Sequence, residues 1–153
     1  MAKKLILGVG SILRHDDGIG SFIIEKLKQH PQSDVDYLNG GTDGLALLDI
    51  IKTYDQVILI DAVNMDEEPG TIKIFKPSEV NLIQRDSLST HTFGIAMLIL
   101  LMKELAIQTE LTIIGIQPQD ISFGEGLTEI IQSKIKKLMD LIVEQINVLR
   151  HSC

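Results

Sequence analysis

The sequence is short of cysteine, of basic charge and of long apolar runs, and each shortage excludes something. Its only cysteine is Cys153, the last of 153 residues, so no internal disulfide can form. A reducing, cytoplasmic compartment is the expectation. Lys and Arg number 14 against 21 Asp and Glu, a net charge of −7. That balance argues against a nucleic-acid binder, which normally carries a basic stripe, and leaves room for a partner protein with a basic patch. The longest apolar stretch, Phe93 to Met102, falls well short of the roughly 20 residues a membrane span needs. It predicts a buried helix and no membrane insertion. Met1 to Lys4 precede an apolar run that breaks at Gly8, so the long hydrophobic region of a signal peptide is missing. What remains is ordinary for a soluble globular protein: 44% hydrophobic and 23% charged residues, in a length that fits one domain over 1–153.

Leu5-Ile6-Leu7, followed by Gly8-Val9-Gly10, reads as a buried strand ending in a glycine turn. Ile19, Ile23 and Leu27 recur at helical spacing, with Phe22 and Ile24 beside them, and His30-Pro31 stops that helix. Val35 and Tyr37 predict a short strand cut off by Asn39-Gly40-Gly41, and Leu45, Leu47, Leu48 and Ile51 a shorter helix. Val57-Ile58-Leu59-Ile60 is apolar on both faces and belongs at the centre of a sheet. After Pro69-Gly70, Ile72 and Ile74 alternate with Thr71 and Lys73, which suits an edge strand returning antiparallel. Residues 77–90 read as irregular; a helix from about Thr92 to Leu105 and a strand Leu111–Ile116 follow. A last helix, from about Gly126 to Leu149, carries Ile131, Ile135, Leu138, Ile142 and Ile146 on one stripe. This alternation predicts a three-layer α/β/α sandwich with a mostly parallel five-stranded sheet, of the phosphorylase/hydrolase-like kind.

Ligands of open parallel sheets bind beyond the carboxyl ends of the strands. Five segments fall there: Gly8 to Gly20, Asn39 to Gly44, Asp61 to Asn64, Ser89-Thr90-His91 and Gln117 to Asp120. Carboxylates, glycines and one histidine gather on one rim. A dinucleotide fingerprint fails, because the position of its third glycine is Leu13, and no P-loop is present. Asp16 and Asp17 would also repel a pyrophosphate. Two carboxylates and an imidazole, by contrast, can hold a divalent transition metal with positions left open. Asp17, Asp61 and His91 are the candidates, and such a metal would polarise a carbonyl and acidify a bound water. Bland alternatives stand beside this one. Asp16 or Asp17 can cap a helix beginning at Gly18, His91 can be a helix-entry residue bonding a carbonyl, and Gly40-Gly41 can mark only a turn. His15, His30 and His151 read as solvated surface residues.

The run Gly8-Val9-Gly10-Ser11-Ile12-Leu13-Arg14-His15-Asp16-Asp17-Gly18-Ile19-Gly20 resembles the N-terminal signature of the nickel-iron (NiFe) hydrogenase maturation endopeptidases. Gly40-Gly41-Thr42-Asp43-Gly44, Asp61-Ala62-Val63, Pro69-Gly70-Thr71, Ser89-Thr90-His91 and Gly115-Ile116-Gln117-Pro118 follow in that family's order. The resemblance implies removal of a C-terminal extension from a hydrogenase large-subunit precursor after nickel insertion, behind a His or Arg. It places the family's metal-contacting groups on Asp17, Asp61 and His91, with Asp16 or Asp17 as a possible base. The nickel is then the substrate's own, not a resident cofactor. Asn39, Gly40, Gly41 and Thr42 match a stretch that helps recognise the precursor. Two positions depart from the pattern: Ser11 stands where Asn is usual, and Asn39 where Asp is usual. The Gly-Ile-Gln-Pro wording is closer to the formate-hydrogenlyase and energy-converting branch. Two other readings use the same three ligands: a general metallopeptidase with its own zinc, and a non-catalytic nickel chaperone or binding module.

Overall fold

A computed structural model of the chain describes residues 2–82 and 94–151. Its elements run β1 (Lys4–Val9), a 3-10 turn (His15–Gly18), α1 (Ile19–Leu27), β2 (Val35–Gly41), α2 (Gly44–Ile51), β3 (Gln56–Ala62) and β4 (Ile72–Phe75). A second 3-10 segment (Pro77–Leu82) precedes α3 (Ile95–Glu104), β5 (Glu110–Ile116), α4 (Glu129–Gln132) and α5 (Ile135–Arg150). The five strands form one sheet in the order β2-β1-β3-β5-β4. All pairings are parallel except β4 with β5, which runs antiparallel at the edge, as the alternation of Ile72 and Ile74 with polar residues requires.

Period-two alternation along the strands divides the core into two layers. Leu5, Leu7, Val57, Leu59, Leu111 and Ile113 face α2 and α3 through Leu47, Leu48, Ile51, Ile95, Leu98 and Met102. Ile6, Ile58, Ile60, Ile114 and Ile116 face α1 and α5 through Ile19, Ile23, Leu138, Ile142 and Ile146. Both faces of β3 are covered, so its run from Gln56 to Ala62 is buried throughout. This is the expected three-layer α/β/α sandwich.

Local departures from the sequence reading have local causes. Strand β2 does not stop at Asn39; its ladder with β1 continues to Val9 opposite Gly41, through an irregularity between Gly8 and Val9. The expected final helix starts only at Glu129, since Gly126 takes a left-handed φ of +92° and cannot be helical, and it is two helices rather than one. The break between α4 and α5 comes where the Ser133 hydroxyl bonds Ile130 O at 2.6 Å and the Lys134 amide reaches back only three residues, to Ile131 O. Helix α3 is amphipathic, not buried all round: Met97 and Leu100 are about half exposed while Ile95, Leu98 and Met102 are buried. The expected start of that helix at Thr92 lies outside the described residues.

Close packing of α1 on the sheet depends on glycine. A Cβ on Gly20 would sit 2.5 Å from Val9 O and 2.7 Å from Ile60 O, and one on Gly8 would sit 2.2 Å from Gly20 O. Helix and strands therefore meet backbone to backbone, and the turn before α1 is pinned at the ends of β1 and β3. Gly20→Ala should lower the unfolding free energy by about 3 kcal/mol, the upper part of the usual overpacking range, read from urea denaturation. Gly41→Ala has open space around it and only its φ of +60° to strain, so its cost should be about 1–2 kcal/mol.

At the opposite end of the sheet, Arg150 Nε donates to Asp34 Oδ2 at 2.9 Å, a second guanidinium nitrogen bonds Oδ1, and Lys4 Nζ lies 3.6 Å away. The Arg150 hydrogen bonds hold the Asp34 carboxyl down at about 2, against its ordinary 3.8. A depressed folded-state value stabilises the native protein above the unfolded value. That contribution should be complete above 3.8 and disappear as pH falls through about 2. Urea midpoints of wild type and Asp34→Asn should accordingly differ at about pH 5 and converge near pH 2.

Candidate functional site

Strand order places a switch point between β1 and β3: the chain leaves β1 for β2 on one side, while β3 and β5 lie on the other. The carboxyl ends of these two strands carry the first two candidates, Asp17 in the turn after β1 and Asp61 at the end of β3 itself. Gly10 turns the chain away from β1 with φ +126°, and a Cβ there would sit 1.9 Å from Asp17 O. Only glycine allows the following turn to fold back over the strand end. Asp17 is then fully buried, and its Oδ2 accepts the Ser11 amide at 2.9 Å. Asp61 is the penultimate residue of β3 and is also 0% exposed. The 3-10 turn that carries Asp17 touches β3 directly. His91 lies outside the described residues. Among the described residues, no group of three or more His, Cys, Asp and Glu side chains is placed to hold a metal ion.

Asp16 and Asp17 are neighbours in one 3-10 turn and point to different partners. Neither caps α1, whose N-cap is Gly18, with no side-chain bond. The Asp16 carboxylate, 1% exposed, accepts the amides of Gln119 (2.9 Å), Asp120 (3.0 Å) and Thr128 (2.8 Å), together with the Thr128 hydroxyl. It holds the loop after β5. His15 is not a free surface side chain either: φ is +44°, its Nδ1 lies 3.0 Å from Gly126 O, and its ring packs against Gly124. His30 and His151 are exposed, as the sequence suggested. Nearby, the Ser122 hydroxyl and amide both donate to Asp120 Oδ1, at 2.6 and 2.8 Å. Those bonds, with the charge of His15, hold the Asp120 carboxyl below its ordinary range.

The Asn39 to Thr42 stretch divides by function within four residues. Asn39 Nδ2 donates to Ser21 Oγ at 2.5 Å and its Oδ1 accepts the Gly41 amide at 3.3 Å, so the side chain ties the strand end to α1. Gly40 is a packing glycine: a Cβ there would press on Leu47 and Leu7 at 2.7 and 2.9 Å. Gly41 and Thr42 face a narrow cleft of about 20 Å³ whose walls include Val9, Asp61, Gly94 and Ile95. Gly10 N donates to Gly41 O at 2.9 Å, which joins this wall to the Asp17 loop.

Gln117 is an organising residue that the sequence reading left in a loop without a role. Its buried amide oxygen accepts the Met65 amide at 2.6 Å and the Glu67 amide at 3.4 Å, and its nitrogen donates to Asn64 Oδ1 at 3.2 Å. It fixes the chain just beyond Asp61. A second, broader groove runs between α1 and the α4–α5 pair, lined in part by Ile12, His15, Phe22, Leu127 and Ile135. Ile12, Leu13 and Phe123 stand exposed beside it. Among the described residues no helix is long and apolar enough to cross a membrane.

The comparisons with known proteins converge on one family. Residues 22–145 match the family model described as hydrogenase maturation protease. The chain is 32% identical to the hydrogenase 2 maturation protease of Escherichia coli K12 over 146 residues, covering 92% of this chain and 88% of that one. It is 33% identical over 146 residues to the hydrogenase expression/formation protein HupD of Rhizobium leguminosarum, 92% of this chain and 72% of that one. In three dimensions it superposes on the hydrogenase-maturating endopeptidase HybD of E. coli with a TM-score of 0.83 at 30% identity, covering 95% and 92% of the two chains. The HycI protease of Thermococcus kodakarensis gives 0.75 at 26% identity, covering 94% and 91%. With the family model spanning most of the chain and a relative and a solved structure each covering more than nine-tenths of it at 30% identity or more, the chain belongs to the hydrogenase maturation proteases and is a peptidase.

Proposed function

We propose that this peptidase removes the C-terminal extension of a nickel-iron hydrogenase large-subunit precursor after nickel insertion, and that Asp17, Asp61 and His91 recognise the nickel the precursor carries. One observation supports this most: two carboxylates, each 0% exposed, lie at the carboxyl ends of adjacent parallel strands, Asp17 in the turn after β1 and Asp61 at the end of β3, at the switch point of the sheet. Aspartate is almost never so deeply buried unless it is paired. Gly94, three residues after His91, lines the same cleft as Asp61.

In this reading the tail of the precursor lies along the wall formed by Gly41 and Thr42, and the substrate's nickel is met by the two carboxylates and the imidazole. An empty precursor lacks that bond, so docking reports on maturation. Water adds to the scissile carbonyl carbon, a carboxylate takes its proton, and the C–N bond breaks as the proton passes to the departing amine. The whole chain, 1–153, acts as one domain in the cytoplasm.

The test uses nickel-loaded and nickel-free precursor, with tail release followed by mass spectrometry. Only the loaded form should be processed; equal cleavage of both would remove the nickel checkpoint. Asp17→Asn and His91→Ala should each slow processing by at least about 100-fold while circular dichroism and the unfolding midpoint stay near wild type. Titration calorimetry of the isolated protein should detect no tight nickel or zinc uptake. Tight uptake would instead favour a resident-metal peptidase, or a nickel carrier if the precursor is left uncut.

A further inference from the structure

The first loop and the loop after β5 are stitched together by backbone and side-chain hydrogen bonds. Leu13 O accepts the Gly124 amide at 2.9 Å, the His15 amide reaches Gly124 O at 2.9 Å, and the Asp16 amide reaches Asp120 O at 2.9 Å. Arg14 Nε donates to Ile121 O at 3.0 Å. The buried Asp16 carboxylate closes the seam through Gln119, Asp120 and Thr128. Thr128 reaches it twice, its hydroxyl lying 3.1 and 2.9 Å from the two carboxylate oxygens.

A carboxylate so occupied has few lone pairs left for a water or a substrate proton. We propose that Asp16 is a positioning residue and not the base: by clamping residues 119–128 it sets where the next residue, Asp17, holds its carboxylate. The mechanical link is short. Asp17 shares the 3-10 turn with Asp16, its amide bonds Arg14 O at 3.0 Å, and its Oδ2 takes the Ser11 amide at 2.9 Å. Loosening the clamp lets the turn shift as a unit, and a displacement of about 1 Å at a reacting group can cost up to about 100-fold in rate. This rests on the proposed role of Asp17, so the test carries one readout that needs no catalysis.

Thr128→Val removes the hydroxyl donor and Thr128→Ser keeps it; Asp16→Asn reverses one acceptor and is the harsher change. Activity is measured per folded molecule, well below the unfolding midpoint. Thr128→Val should lower kcat about tenfold with KM within about twofold, and Thr128→Ser should restore it. Amide exchange of Ser11 should accelerate about tenfold in Thr128→Val while Leu59, in β3, exchanges as in wild type. Wild-type kcat together with wild-type Ser11 exchange in Thr128→Val would overturn the proposal. So would abolition of cleavage by Asp16→Asn alongside unimpaired Thr128→Val, which would make Asp16 the base. If the wild-type protein cleaves no precursor, the functional reading fails separately, and Ser11 exchange by itself decides whether the clamp positions Asp17.

Discussion

Helix α1 meets the carboxyl halves of β1 and β3 backbone to backbone at Gly8 and Gly20, and much of the rim follows from that contact. Gly8 and Gly20 bring carbonyl oxygens of strand and helix closer than any Cβ would permit. A helix seated so tightly fixes where its first turn begins, and the preceding 3-10 turn must double back over the strand end through Gly10. Two adjacent aspartates in that turn then diverge. One enters the loop after β5 and the other turns toward the amide of Ser11 beside β3. A helix held off the sheet by ordinary side chains would place both carboxylates elsewhere.

Rigidity at this rim comes from polar groups whose bonds cross between loops. Asp16 joins the first loop to the fifth, Gln117 joins the fifth to the chain beyond Asp61, and Asn39 joins the end of β2 to α1. Asp16 and Gln117 are buried, so an unmade bond there would cost more than a made one contributes. The cleft by Gly41, Thr42 and Asp61 thus sits among loops that the sheet alone would not hold. That suits a peptidase, which must present fixed groups to its substrate. Asn39 acts in the same way, since its amide donates to Ser21 and its oxygen accepts from Gly41.

The hydrophobic pattern carried the architecture because burial is periodic and periodicity is written locally. Val57 to Ile60 announced a central strand, Ile72 and Ile74 an edge, and Ile19, Ile23 and Leu27 a helix, and each lies where its pattern put it. Boundaries were less legible. The break at Ser133 depends on a side chain turning back on Ile130 O, and the late start of α4 depends on the left-handed Gly126. Neither alters hydrophobic spacing, so one continuous helix was the natural reading.

What the sequence determined by itself was the order of elements, the sandwich they form and the placing of Asp16, Asp17 and Asp61 at the carboxyl ends of β1 and β3. Strand termini fall where apolar runs meet glycine and aspartate, and that much needs no coordinates. Only tertiary structure decided what each polar residue does there. Asp16 and Asp17 are indistinguishable in the sequence, and partners more than 100 positions away, Gln119 and Thr128, separate them. Hydrogen bonds between distant loops leave no periodic trace, because they depend on a fold that brings the loops together and not on the spacing of neighbours along the chain.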